Sequence, residues 1–347
     1  MDFRSYVIRR LLLVVPVLFG VSVLIFGLLQ LFPPYQRAML YVTDPRQMAN
    51  IDEIIELYGL NATIWEQYIT WINQVFHGNL GWSTVVGMPV TDAILTYLPA
   101  TLELAIFATP IIIIGGIWLG TKAAANKDKF IDHATRTGAI IGWSLPTFWF
   151  GLVLMMVFYG YFSGFLPPER LSTEMSVLVH SASFSRYTGV NFLDGILNWE
   201  WGVTFDSLRH MILPVVTLSV VNVAFIMRLM RSSMLESMGK GYILTARAKG
   251  LPENMVINKH ARRNAMIPVL TVSGYLFAAI VNGVVITESI FNYKGLGWWA
   301  WRTALMLDIP SILGFALFSG VLFVLTNLVV DLLYARFDPR VRLGGTI

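Results

Sequence analysis

Six stretches of this chain, 11–32, 99–121, 138–163, 210–227, 267–290 and 311–334, contain no lysine or arginine. Their only carboxylates are Glu103, Glu288 and Asp331, each within a turn or two of an end. About 20 apolar residues wound as a helix cross the ~30 Å hydrocarbon core of a bilayer. Without water, the backbone of such a segment must satisfy its own hydrogen bonds, and a helix does so internally. The stretches therefore predict an all-α polytopic membrane protein with six transmembrane helices. Composition agrees: 56% of the 347 residues are hydrophobic and 13% charged, against about 25% charged in soluble domains. An ordinary water-soluble enzyme and a disordered chain are excluded. Cysteine is absent, which removes thiol catalysis, disulfide scaffolds and cysteine metal sites. The net charge of +4 is too small to imply a nucleic-acid partner.

Basic residues set the expected orientation. With the N-terminus inside, the inner segments 1–10, 122–137, 228–266 and 335–347 carry 18 Lys and Arg. The longer outer segments 33–98, 164–209 and 291–310 carry 7. Both termini are expected in the cytoplasm. The first stretch reads as a retained anchor, since no small-residue cleavage pattern follows it. The expected organisation is an N-terminal tail and first helix (1–32), an extracytoplasmic helical subdomain (33–98), a core with five transmembrane helices (99–334) and a cytoplasmic tail (335–347). In the subdomain, Ile51, Ile54, Ile55 and Tyr58, then Ile64, Tyr68, Trp71, Ile72 and Val75, recur at helical spacing. Segment 164–209 carries no readable pattern.

The chain shows no energy source of its own. It has no G-x-x-x-x-G-K-[ST] loop to cradle nucleotide phosphates. It also has no arginine-rich voltage-sensing helix and no chain of buried acids for proton relay. It is therefore either a passive pore or scaffold, or a subunit driven by another protein. The largest inner segment, 228–266, bears on the choice. Ala246, Arg247, Ala248 and Lys249 favour helix, Gly250 stands where a helix ends in a left-handed turn, and Pro252 with Glu253 opens the next. A helix, a tight turn and a helix below the membrane would suit a docking partner. A basic juxtamembrane loop resting on anionic lipid accounts for the same residues equally well.

Thr245-Ala246-Arg247-Ala248-Lys249-Gly250-Leu251, with His260-Ala261-Arg262-Arg263-Asn264-Ala265 following nine residues after the glycine, resembles the EAA loop of ABC importer permeases. More narrowly, it resembles the first-permease branch of the dipeptide/oligopeptide family. Further blocks carry the likeness along the chain: Tyr6 to Leu11, Gly78-Asn79-Leu80-Gly81, Leu98 to Leu104, Ser144 to Trp149, Glu288 to Gly297, and Asp331 to Arg342. Two departures stand out: Leu244-Thr245-Ala246 replaces the general Glu-Ala-Ala, and Arg262 stands where the family usually has leucine.

The resemblance implies a type I ABC importer permease fold with no active site of its own. It implies pairing with a second homologous permease, two cytoplasmic ATPase subunits that bind ATP and Mg, and an extracellular substrate-binding protein, with no cofactor or metal in this chain. Thr245, Ala246, Arg247, Ala248, Lys249, Gly250, Leu251 and Glu253 become the expected ATPase-coupling residues, with the charged ones pairing with the ATPase groove. Peptides are the expected cargo and oligosaccharides the alternative. From the residues themselves, Asn222, Asn282 and Glu288 are substrate-pathway candidates, though amides also join helices and an end carboxylate also caps. Pro110, Pro146 and Pro214 predict kinks. Trp298, Trp299 and Trp301 predict an interfacial belt, or a platform for sugar rings.

Overall fold

The computed structural model describes residues 3–162 and 164–337. Helix α1, Phe3–Leu29, is followed by a short outer series: α2 (Pro34–Ala38), a 3-10 turn (Pro45–Asn50), α3 (Ile51–Leu57) and α4 (Ile64–Phe76). Thr63 caps α4, and the Glu66 side chain returns the bond to the Thr63 backbone N–H, a reciprocal pair that satisfies two otherwise orphaned donors. The same hydroxyl and N–H hold the Glu66 carboxyl below its ordinary pKa. Two antiparallel two-residue strands, β1 (Trp82–Ser83) and β2 (Met88–Pro89), lead into α5, Val90–Ala125. These outer elements share one apolar core with the end of α1, built on Phe26, Leu29, Tyr41, Ile54 and Trp71.

Next come α6 (Phe130–Ser144) and α7 (Thr147–Met155), the latter running into a π-helical turn, Met156–Tyr161. The unreadable outer segment holds α8 (Thr173–Val179) and α9 (Asn191–Leu197), and α10, Trp201–Met238, follows. Beyond it lie α11 (Gly241–Ala248), α12 (Glu253–Met255), a π-helical turn (Val256–Ala261) and α13 (Arg262–Val281). The outer turn carries α14 (Val285–Ile290) and α15 (Leu296–Leu305), and α16, Ile309–Phe337, closes the described chain. Among the described residues, five helical spans are long and apolar enough to cross a membrane, six if the bent pair α6–α7 counts as one.

The third apolar stretch, expected as one helix over 138–163, is broken. Its halves meet at 92°. Pro146 disfavours the helical conformation in the residue before it, and Leu145 is extended, with ψ 122°. Pro110 and Pro214, by contrast, lie inside the continuous helices α5 and α10. Stretch 267–290 is also divided: α13 stops before Gly283, whose φ of +104° turns the chain into α14. Stretch 210–227 is a fragment of α10, whose 38 residues extend well beyond it at both ends.

The packing axis is α5 against α10. A Cβ on Gly116 would lie 2.5 Å from Ile226 Cγ2, and one on Gly120 would lie 2.6 Å from the Met227 carbonyl oxygen. Two glycines one turn apart thus let these helices approach to backbone contact, the packing mode favoured where lipid supplies no hydrophobic drive.

Candidate coupling platform and pathway residues

The segment 241–255 forms a helix, a tight turn and a second helix. Gly250 has φ +73°, its N–H donates to the Arg247 carbonyl at 2.9 Å, and the Leu251 N–H reaches the Ala246 carbonyl at 3.4 Å. That bond pair is the Schellman ending, which needs a left-handed residue at the glycine position. A Cβ there would meet nothing within 4 Å, so the requirement is one of backbone conformation and not of space.

Helix α11 buries only Ile243 and Ala246, three residues apart, against the core that includes Val256 and Ala261. Thr245, Arg247, Ala248, Lys249 and Gly250 are exposed, Leu244 is 71% exposed, and Leu251 is half-buried. The platform therefore presents a threonine, a leucine and a lysine outward on a rigidly ended helix. Arg247 and Glu253, both expected to reach a partner, pair with each other within the chain. Arg247 Nη2 donates to Glu253 Oε1 at 2.6 Å and Nε to Oε2 at 3.1 Å. This hydrogen bonding raises the Arg247 pKa above its ordinary value. The two residues are six apart, and only the path of the Gly250 turn brings them together. Lys249 is the charge of the group left outside an ion pair among the described residues.

The three pathway candidates make separate hydrogen bonds. Asn222 on α10 turns its amide back to the Leu218 carbonyl at 2.7 Å. Asn282 ends α13, donates to the Ala278 carbonyl at 3.0 Å, and has a buried Oδ1 with no partner. Glu288 is fully enclosed. Its carboxylate accepts from Thr101 Oγ1 at 2.8 Å, Trp298 N–H at 2.7 Å and Val284 N–H at 3.4 Å, and Gly295 packs so closely that a Cβ would lie 2.7 Å from the carboxylate carbon. Of the three tryptophans, Trp299 is wholly buried and stacks on Tyr97 with centroids 6.1 Å apart, so it joins no interfacial belt. Trp298 is half-buried with Arg302 over its ring, and Trp301 is exposed. From the sequence Asp331, beside Arg336 near the end of the last stretch, also reads as half of a local pair; both side chains lie outside the described residues.

Sequence reasoning missed the most heavily bonded side chain among the described residues. The Glu103 carboxylate, buried on α5, accepts from Arg170 Nη2 (2.8 Å), Arg170 Nε (3.2 Å), Tyr293 Oη (2.7 Å), Ser207 Oγ (2.9 Å) and the Phe192 N–H (3.0 Å). It ties the outer segment, α10 and the turn after α14 to α5. A second clamp lies at the opposite end of the bundle: Arg231 on α10 grips Asp132 on α6, Nε to Oδ1 at 2.6 Å and Nη2 to Oδ2 at 2.7 Å. A lone carboxylate near the end of an apolar stretch is the one signal that marked Glu103; its partners carry none. Among the described residues, no group of three His, Asp or Glu side chains could hold a metal ion.

Long apolar helices in close contact, a span broken at Pro146 and a helix-turn-helix platform beyond the end of α10 define a polytopic helical membrane protein. Residues 112–343 match the family described as binding-protein-dependent transport system inner membrane component, and residues 3–105 match the N-terminal region described for the same systems. The chain belongs to this family and is a multi-pass protein of the cytoplasmic membrane. It is 37% identical over 345 residues to the probable D,D-dipeptide transport system permease protein DdpB of Escherichia coli (strain K12), covering 99% of each chain. It is 37% identical to the di/tripeptide transport system permease protein DppB of Pseudomonas aeruginosa (97% and 98% covered). The oligopeptide transport system permease protein AppB of Bacillus subtilis is 35% identical (97% and 99% covered).

Proposed function

We propose that this chain is the permease subunit forming one half of the translocation pore of an ATP-driven importer of di- and oligopeptides. The observation that carries the reading is full-length similarity, without large gaps in coverage, to relatives named as dipeptide and oligopeptide permeases. In this reading a second homologous permease supplies the other half of the pore. Two cytoplasmic ATPases bind ATP and Mg, and an extracellular binding protein delivers cargo. Both termini lie in the cytoplasm, in line with the bias of Lys and Arg toward the inner segments. The chain itself hydrolyses nothing.

Residues 244–251 form the surface on which one ATPase seats, with Leu244, Thr245, Ala248 and Lys249 in contact and Gly250 setting the angle. The Arg247–Glu253 pair stiffens the turn from within. Closure of the ATPases pushes on α11, and because α10 runs from this platform to the outer end of the bundle, the push becomes a rigid-body movement of the long helices. We infer that Glu288 fastens the outer turn, which leaves Asn222 and Asn282 as the pathway candidates.

The test is reconstitution of the assembled transporter in liposomes, with cargo identified by mass spectrometry of what the binding protein carries. Uptake of di- or oligopeptides dependent on internal ATP is the expected result. A binding protein loaded with sugars, and vesicles that accumulate oligosaccharide but no peptide, would overturn the substrate assignment. ATP hydrolysis by this chain alone would overturn the division of labour.

A further inference from the structure

Helix α4 is apolar on two sides. One side, Tyr68, Trp71, Ile72 and Val75, packs into the outer core. The other carries Trp65, Ile69 and Phe76, 72%, 63% and 82% exposed, with half-buried Ile72 between them. Positions 65, 69, 72 and 76 form one continuous helical stripe. From Gln67 to His77 no residue is formally charged at neutral pH with histidine neutral. In water this stripe would be an unpaired hydrophobic surface.

The contacts of the inner side fix the level at which α4 lies. The Tyr68 hydroxyl hydrogen-bonds Ser22 Oγ at 2.8 Å, and the Tyr68 ring meets Phe19 and Phe26 with centroids 6.2 and 5.2 Å away. All three partners belong to the membrane-spanning part of α1. Measured outward from Arg10, the last basic residue before the apolar stretch, ~30 Å of hydrocarbon ends near Gln30 at 1.5 Å per residue. Ser22 then lies about 12 Å inside that boundary. A polar seam sits at the boundary itself. The buried Arg37 guanidinium donates to Gln30 Oε1 at 2.6 Å and also to Gln67, and Gln30 in turn donates to Gln67 at 3.3 Å. Glu66, the charge of the helix, adjoins this seam. The stripe of α4 is also continuous in character with exposed Val23, Leu24 and Leu28 on α1.

We propose that α4 is embedded in the outer leaflet, with Trp65, Ile69 and Phe76 in contact with phospholipid acyl chains. The first outer segment is then an anchor lying in the bilayer, and not wholly an aqueous subdomain. Its geometry is that of an interfacial helix that buries its apolar face about 5–10 Å below the headgroups. Unlike such helices on isolated proteins, it is clamped to a spanning helix by an aromatic cluster.

The chain contains no cysteine, so single cysteines report single sites. Nitroxide labels at Trp65→Cys, Ile69→Cys and Phe76→Cys would be measured in the full transporter, assembled with cysteine-free partner subunits in liposomes. Leu24→Cys on α1 serves as the lipid-facing reference and Glu53→Cys on α3 as the aqueous one. The expected result is collision with oxygen far above collision with a water-soluble nickel chelate at Ile69 and Phe76, as at Leu24. Nickel access matching that at Glu53 would overturn the proposal. So would labels frozen and closed to both reagents, the mark of a protein partner. The fluorescence difference between the unmodified protein and Trp65→Phe, in vesicles of brominated phosphatidylcholine, reads the same contact without cysteine. Quenching supports the assignment, and its absence refutes it.

Discussion

Glu103→Ala removes an acceptor of five hydrogen bonds and leaves the Arg170 guanidinium, 17% exposed, without its carboxylate. Truncating one partner of a buried charge pair costs about 3–5 kcal/mol, because the remaining charge stays desolvated and unpaired. The lost Tyr293, Ser207 and Phe192 bonds are not additive to that figure, since all five share one carboxylate. The cost falls on the attachment of the outer segment to α5, which otherwise rests on Phe192 against Phe107, while α10 holds the same segment through Asp206 and Arg209. At the lower bound of about 3 kcal/mol, the detached population rises roughly a hundredfold. The readout is hydrogen exchange in lipid nanodiscs. The Phe192 amide donates directly to Glu103 and should exchange about a hundredfold faster, as should amides of α9, while the α5–α10 contact around Gly116 stays protected. Tyr293→Phe, which deletes a single donor, should cost about 1.5–3 kcal/mol as a bond to a charged group. Unchanged exchange at Phe192 in Glu103→Ala would refute the claim that this carboxylate holds the outer segment.

Gly250→Val forces a β-branched residue to φ +73° and should cost about 1–2 kcal/mol locally. Membrane abundance should be normal and substrate-stimulated ATP hydrolysis lost, whereas Gly239→Val, at φ −83°, should be mild; wild-type uptake by Gly250→Val would contradict the coupling role. Gly120→Leu places a side chain where a Cβ already meets Met227 O and Met230 Cβ at 2.6 and 2.7 Å. It should separate α5 from α10 at a cost of about 1–3 kcal/mol or more, seen as a lower thermal midpoint in nanodiscs. The exposed Arg247–Glu253 pair contributes about 0–1 kcal/mol, so Arg247→Glu should barely move that midpoint yet impair coupled ATP hydrolysis. Arg247→Glu combined with Glu253→Arg should restore it, and failure of that rescue would show that Arg247 touches the ATPase itself.

The spans were readable because the hydrocarbon core imposes its demand locally: a crossing segment must be predominantly apolar along its whole length, so the signal lies in consecutive positions. The Gly250 turn was readable for a related reason, since a left-handed helix ending is a property of adjacent residues. Helix limits were less so. Stretch 210–227 understated α10 because the helix continues through the polar interface, where hydropathy carries no signal. Pro146 announced a disruption but not its size, and two other prolines on the same footing left their helices continuous.

What the order of residues determined was therefore the class: an all-α membrane protein with a helix-turn-helix platform at the end of one span. Tertiary structure alone decided which polar groups meet. Glu103 finds Arg170 and Tyr293, 67 and 190 residues away, and Arg247 meets Glu253 across the Gly250 turn. The same holds for α4, whose helical period is plain in the sequence but whose depth depends on Tyr68 meeting Ser22, 46 residues earlier. Periodicity reports which face of a helix is apolar. Whether that face is covered by protein, water or lipid depends on where the rest of the chain places it, and that is a property of packing between segments distant in sequence.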